Sequence, residues 1–262
     1  MIERVQMTLN PNQVVAPAQE AARLAAHVVA ECLSSMSGRE LAEPMPASAA
    51  LGFRFPGPNL TSEDRRASYH NWLLAKAFQD LARGLRASLE EAFLFLAFFN
   101  RAERVMTCGE LEKEILDVKT EAGRLLFPQL LARVNEGLTE PLAFDAEFRS
   151  IQDVRNCLEH RGGVVGARDI AKDGNLSLTF PRLRCFYKRG EEEIDLRPGV
   201  RIEGQGQVPI FGQRVSYRKS YRAGERVTFS ADEFFEIAFA CHLFADDLGR
   251  KLPRRDPPPA GP

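Results

Sequence analysis

Residues 145–163, DAEFRSIQDVRNCLEHRGG, decide how this chain is read. At 3.6 residues per turn, Phe144, Phe148, Ile151, Val154 and Leu158 fall on one apolar stripe, which predicts an amphipathic helix from about Asp145 to Arg161. Gly162-Gly163 stops it, because glycine accepts the left-handed backbone that follows a helix. Arg155 lies in the middle of the stripe, and a guanidinium left unpaired on a buried face is strongly destabilising. It needs a partner: an internal carboxylate, a second subunit or a ligand phosphate. For a lone arginine the plainer reading is a structural one, paired with a carboxylate from another helix. Asn156 and His160 are four residues apart and share a neighbouring face.

Outward from this helix the pattern stays helical towards the N-terminus. Apolar residues at helical spacing (Ala21, Leu24, Ala25, Val28, Val29, Cys32) predict a helix over Ala18 to Ser35, closed by Ser37-Gly38. Residues 43–59 hold four prolines and read as a loop. Thr61-Ser62-Glu63-Asp64 is a capping signal for the longest helix, running through Trp72, Leu81, Leu85 and Leu89 to about Arg104. Within it, Phe93 to Phe99 is apolar around the whole helix, so it is either centrally buried or a subunit contact. Thr107-Cys108-Gly109-Glu110 opens a third helix that Pro128 is expected to kink or end.

Beyond Gly163 the period changes. Leu176-Ser177-Leu178-Thr179-Phe180 alternates, and Asp173-Gly174 and Pro198-Gly199 punctuate short runs, which predicts β-hairpins or an irregular flap. Helix returns at the capping box Ser230-Ala231-Asp232-Glu233, followed by Phe234, Ile237, Ala238, Cys241 and Leu248. The expected organisation is therefore mainly α: a helical bundle over 1–163, a β-hairpin-rich segment over 164–229 inserted in the same domain, a final helix over 230–252 packing back, and a proline-rich disordered tail over 253–262.

Composition narrows the function. The five cysteines are odd in number, scattered and without a C-x-x-C pair, so neither a disulfide framework nor a zinc cluster is indicated, and a reducing compartment fits. The start lacks a signal-peptide pattern, and the longest apolar run, Ala92 to Phe99, is too short to cross a bilayer. A cytoplasmic protein without metal, cofactor or membrane contact is expected. The net charge of −1 is uneven. Positive charge gathers in the C-terminal half, where it attracts phosphate. The run Arg214-Val215-Ser216-Tyr217-Arg218-Lys219-Ser220-Tyr221-Arg222 interleaves cations with aromatics, as binders of single-stranded RNA do. A solvated hairpin explains the same run equally well. Gly204-Gln205-Gly206 is a loop, because Pro209 stands where a dinucleotide fingerprint needs its third glycine.

The segment Arg155-Asn156-Cys157-Leu158-Glu159-His160 resembles the signature of the HEPN superfamily, an arginine, four to six intervening residues and a histidine, often with a polar residue directly after the arginine. The resemblance implies a helical bundle that pairs as a homodimer, with metal-independent RNA cleavage, and it assigns the chemistry to Arg155, His160 and Asn156. It also suggests a toxin or phage-defence setting, with an antitoxin or nucleotidyltransferase as a possible partner. Around the motif, Arg161, Arg214, Tyr217, Arg218, Lys219, Tyr221 and Arg222 are the expected RNA contacts. The alternative is a non-catalytic dimerisation module in which Arg155, Asn156 and His160 form a structural polar network. Arg65-Arg66-Ala67-Ser68-Tyr69-His70 has the same spacing but opens a helix and lacks the polar residue after arginine. His70, His27 and His242 read as ordinary core or surface residues.

Overall fold

The computed structural model describes residues 9–41, 60–99, 106–196, 202 and 208–254. Among them the chain is mainly helical, with six helices and one small antiparallel sheet. The helices are α1 (Pro11–Met36), α2 (Ser62–Phe99), α3 (Cys108–Arg124), α4 (Phe127–Gly137), α5 (Asp145–His160) and α6 (Ala231–Lys251). The strands β1 (Asn175–Arg189), β2 (Glu192–Asp195) and β3 (Ile210–Arg222) lie between α5 and α6, in the order β2-β1-β3. The expected proline-rich loop, the end of α2 beyond Phe99, Pro198-Gly199, Gly204 to Gly206 and the tail from 255 lie outside the described residues. No helix of the described chain is long and apolar enough to cross a membrane.

α1 begins seven residues before the expected Ala18. Asn10 caps it by accepting from the Asn12 amide at 3.0 Å, and Pro11 sits where no amide hydrogen is needed. Pro17, inside the helix, has no amide hydrogen to give. The amide of Ala18 beside it donates to the buried Ser88 hydroxyl of α2 at 3.0 Å. The two helices cross at Gly84, where an added Cβ would lie 2.5 Å from the Ala21 Cβ and 2.9 Å from the Pro17 carbonyl oxygen.

Thr61 accepts from the Asp64 amide at 3.1 Å, and Thr107 and Ser230 form reciprocal boxes with Glu110 and Glu233. Pro128 was expected to kink or end the third helix, yet it occupies the first turn of α4. The break comes earlier, at Leu125 and Leu126, both extended, and Gln129 accepts from the Leu126 amide at 2.9 Å. A proline at a helix start loses no hydrogen bond, so the same residue that stops one helix opens the next.

α2 is the central helix. Its buried face (Leu74, Phe78, Leu81, Leu85, Leu89, Ala92) meets α1, α3, α4, α5 and α6. In the apolar run, Phe95 and Leu96 are buried and the remaining residues half-buried, with Leu96 against Gly137 of α4.

The β segment is more than a flap. The first half of β1 sends Leu176, Leu178 and Phe180 into the same core as Phe148 of α5 and Phe234 and Phe244 of α6. β2 pairs only Phe186 to Arg189, which leaves the other edge of β1 open over its first part. Pro181 is tolerated there because no neighbouring strand on that side requires its amide hydrogen. On the same stretch, the Ser150 hydroxyl of α5 donates to the Thr179 carbonyl at 2.8 Å and accepts from its amide at 2.7 Å, locking α5 to the sheet.

Candidate functional site

α5 stays helical through His160. Arg161 is its C-cap, Gly162 and Gly163 take positive φ (60° and 80°), and the Gly163 amide returns to the Cys157 carbonyl. The chain then runs beside the turn after β3. The Val165 amide donates to Glu225, Gly224 to Val165 and Val227 to Gly163, at 2.8–2.9 Å. Arg226 places its Nη1 2.8 Å from the Gly162 carbonyl. This cation, exposed at the negative end of the helix dipole, carried no signal in the motif; only the pairing of the two loops brings it there.

Arg155 is met by Glu159, one turn along the same helix, through an ion pair between its Nη2 and the Glu159 Oε2; its Nη1 donates to the Asn156 Oδ1 at 3.2 Å. The expected carboxylate from another helix is absent from this pairing among the described residues. What α2 supplies is a second cation: Arg83 reaches the Glu159 Oε1 at 3.3 Å while holding Asp80 at 2.7 Å. His160 brings its Nε2 to 4.0 Å from the Glu159 Oε2, and its side chain is 62 % exposed against 25 % for Arg155.

Arg155 and His160 project about 140° apart on an ideal helix, so a straight helix does not aim both at one point. α5 does not loosen. Glu159 projects between them, its buried Oε2 paired with Arg155 and 4.0 Å from the His160 Nε2. Partial burial opposes ionisation of Glu159, but the hydrogen bond from Arg83 and the charges of Arg155, Arg83 and His160 outweigh it, holding the carboxyl below its ordinary range.

Arg161, expected to contact RNA, is bound in a fork to Asp169, whose carboxylate is buried and also accepts from the Gly166 amide at 2.8 Å. The guanidinium thus organises the loop after the motif. Beneath it the Cys157 thiol is buried, and burial first, then the Asp169 charge, pushes its pKa up against the opposing pull of Arg161. That is the setting of an inert thiol.

The basic run on β3 divides by strand alternation. Tyr217, Lys219 and Tyr221 face the helices. Tyr217 packs on Phe180 and donates to Glu233 at 3.2 Å, and Lys219 pairs with Glu233 at 2.8 Å. Tyr221 is buried and donates to the Thr228 carbonyl at 2.8 Å. Its ring cannot serve as a stacking platform. Arg214, Arg218 and Arg222 face solvent, Arg218 being held by Asp173 at 2.8 Å and by Ser177.

The sequence decoy has a structural task. Arg65 donates to the Leu41 carbonyl at 2.6 Å and Arg66 to Met36 and Arg39, fastening the chain after α1 to the start of α2. His27 is exposed, and His242 lies 3.7 Å from Asp246. No group of three residues able to hold a metal ion occurs among the described residues. No family model, curated protein or solved structure matches this chain.

Proposed function

We propose that the chain is a HEPN-like, metal-independent endoribonuclease that works as a twofold homodimer, with the end of α5 as its site. The observation that carries this reading is the exposed imidazole of His160, 4.0 Å from the carboxylate oxygen that pairs with the Arg155 guanidinium, with Arg83 on the other oxygen. Imidazole can exchange protons near neutral pH, and two guanidinium groups suit the equatorial oxygens of a phosphodiester. In this reading His160 gives a proton to the leaving 5′-oxygen, Arg155 and Arg83 hold the phosphate, and Asn156 steadies Arg155. Arg226, and beyond it Arg214, Arg218 and Arg222, attract the flanking backbone.

The scaffold alternative draws support from the pairing of Arg155 with Glu159 and Asn156, which is what a structural network requires. It leaves His160 without a task, since a mostly exposed side chain at a helix end contributes little to packing.

Purified protein incubated with mixed RNA in EDTA should cleave it. His160→Ala should abolish cleavage with the melting curve unchanged, because the side chain has little packing to lose. Cleavage that survives in a folded His160→Ala protein refutes the site. Light scattering should give twice the chain mass at micromolar concentration, and a monomer there would refute the dimer.

A further inference from the structure

Transesterification of RNA needs a group that takes the 2′-hydroxyl proton as well as one that protonates the 5′-oxygen. The motif contributes one histidine per chain, and a second copy is the obvious source of the other group. The structure offers a nearer one. Glu159 lies between the two guanidinium groups, Arg83 on Oε1 and Arg155 on Oε2, with the His160 Nε2 4.0 Å from Oε2.

We propose that Glu159 is the general base of this site, so that a single chain carries base, acid and phosphate-binding cations together. This rests on the ribonuclease reading above. The Glu159 carboxylate takes the 2′-hydroxyl proton as O2′ attacks phosphorus. The P–O5′ bond breaks, and the His160 imidazolium gives its proton to O5′. The products are a 2′,3′-cyclic phosphate and a 5′-hydroxyl end; solvent then returns one proton to His160 and removes one from Glu159.

Three observations support it. The Glu159 side chain is a quarter exposed although its Oε2 is buried, which leaves Oε1, the oxygen that Arg83 holds at 3.3 Å, to take the proton. It is in the correct protonation state, because the surrounding positive charge keeps it ionised at neutral pH. Its tie to Arg83 can yield to a phosphate, since that guanidinium is mostly exposed and its pairing is screened by solvent. A phosphate entering between Arg83 and Arg155 takes over their hydrogen bonds and releases the carboxylate towards the sugar. The charged groups acting on Glu159 are Arg83 on α2, itself tied to Asp80, and Arg155 and His160 on α5.

The test is single-turnover cleavage of a short single-stranded RNA in EDTA by the full chain, between pH 3.5 and 9. Wild type should keep its rate down to the carboxylate range, with the acidic limb below about pH 5. An acidic limb near pH 6, where a second imidazole would lose function, overturns the proposal without any variant. Glu159→Gln should slow cleavage about 10²- to 10⁴-fold while binding an all-deoxy analogue within a few-fold of wild type. Added formate should restore part of the rate in Glu159→Ala. Cleavage by Glu159→Gln within tenfold of wild type, or a loss of rate matched by an equal loss of analogue binding, would assign Glu159 a merely structural part. Wild-type protein that cleaves nothing refutes the ribonuclease reading itself, and this proposal with it.

Discussion

Glu233 tests how β3 is held, and with it whether the basic run is a surface or a structural strand. Its carboxylate accepts from Lys219 at 2.8 and 3.0 Å, from the Tyr217 hydroxyl at 3.2 Å and from the Ser230 amide at 2.8 Å, closing the capping box of α6. Glu233→Gln keeps the shape, the capping and an acceptor for Tyr217 but removes the charge. A hydrogen bond to a charged group is worth roughly 1.5–3 kcal/mol against 0.5–1.5 for a neutral one, so this change should cost about 1–2 kcal/mol. Glu233→Ala also removes half of the capping box and leaves the tyrosine hydroxyl unpaired, for a total of about 3–4 kcal/mol. Urea unfolding at pH 7 measures both as shifts in midpoint at constant slope. The pH dependence has a definite sign. Burial raises the Glu233 pKa, but the Lys219 hydrogen bond, the Ser230 amide and the Lys219 charge outweigh it and leave the group below its ordinary 4.5. Its stabilisation is therefore complete above about pH 4.5 and lost as the pH falls through the lower folded value. The gap between wild type and Glu233→Gln should be full at pH 7 and close in acid. A gap absent at pH 7, or unchanged at pH 3, would refute the reasoning.

Further outcomes follow from other contacts. Gly84→Ala should destabilise the protein by about 1–3 kcal/mol in urea, because the new methyl meets the Pro17 carbonyl and the Ala21 methyl of α1; a neutral result would mean that the helices do not cross this closely. Alkylation of the folded protein at pH 8, mapped by peptide mass, should modify the exposed Cys108 and spare Cys157 and Cys241, because burial raises the pKa of both thiols, that of Cys241 to about 12. Reaction of Cys241 as fast as Cys108 would contradict that burial. Replacing Arg214, Arg218 and Arg222 together by glutamine should flatten the salt dependence of single-stranded RNA binding by about two units of log–log slope, whereas Tyr221→Phe should cost roughly 1 kcal/mol of stability and leave the slope alone. An unchanged slope in the triple variant would remove the outer face of β3 from the RNA path.

Much was legible because it is local. Thr61, Thr107 and Ser230 mark helix starts through bonds that span three residues, and Gly162-Gly163 marks the end of α5 through backbone freedom alone. The need of Arg155 for a partner could be read from its place on an apolar stripe. Glu159, four residues on, is within reach of the same helical geometry, but the projection of Cα positions does not show how far arginine, glutamate and histidine side chains extend.

What the sequence by itself determined is five of the six helices among the described residues and most of their ends, the change to strand after Gly163, and the demand for a counter-charge at Arg155. Only the tertiary structure decided that Pro128 opens a helix, that β1 enters the core, and that Tyr217, Lys219 and Tyr221 turn inward while their arginine neighbours turn out. It also brought Arg83, 76 residues away in sequence, to Glu159, and Arg226 to the end of α5. The physical reason is one of range. Caps, turns and periodicity are settled by energies between residues a few positions apart, whereas which face of a strand is buried and which distant cation meets a carboxylate are settled by the packing of whole elements against one another.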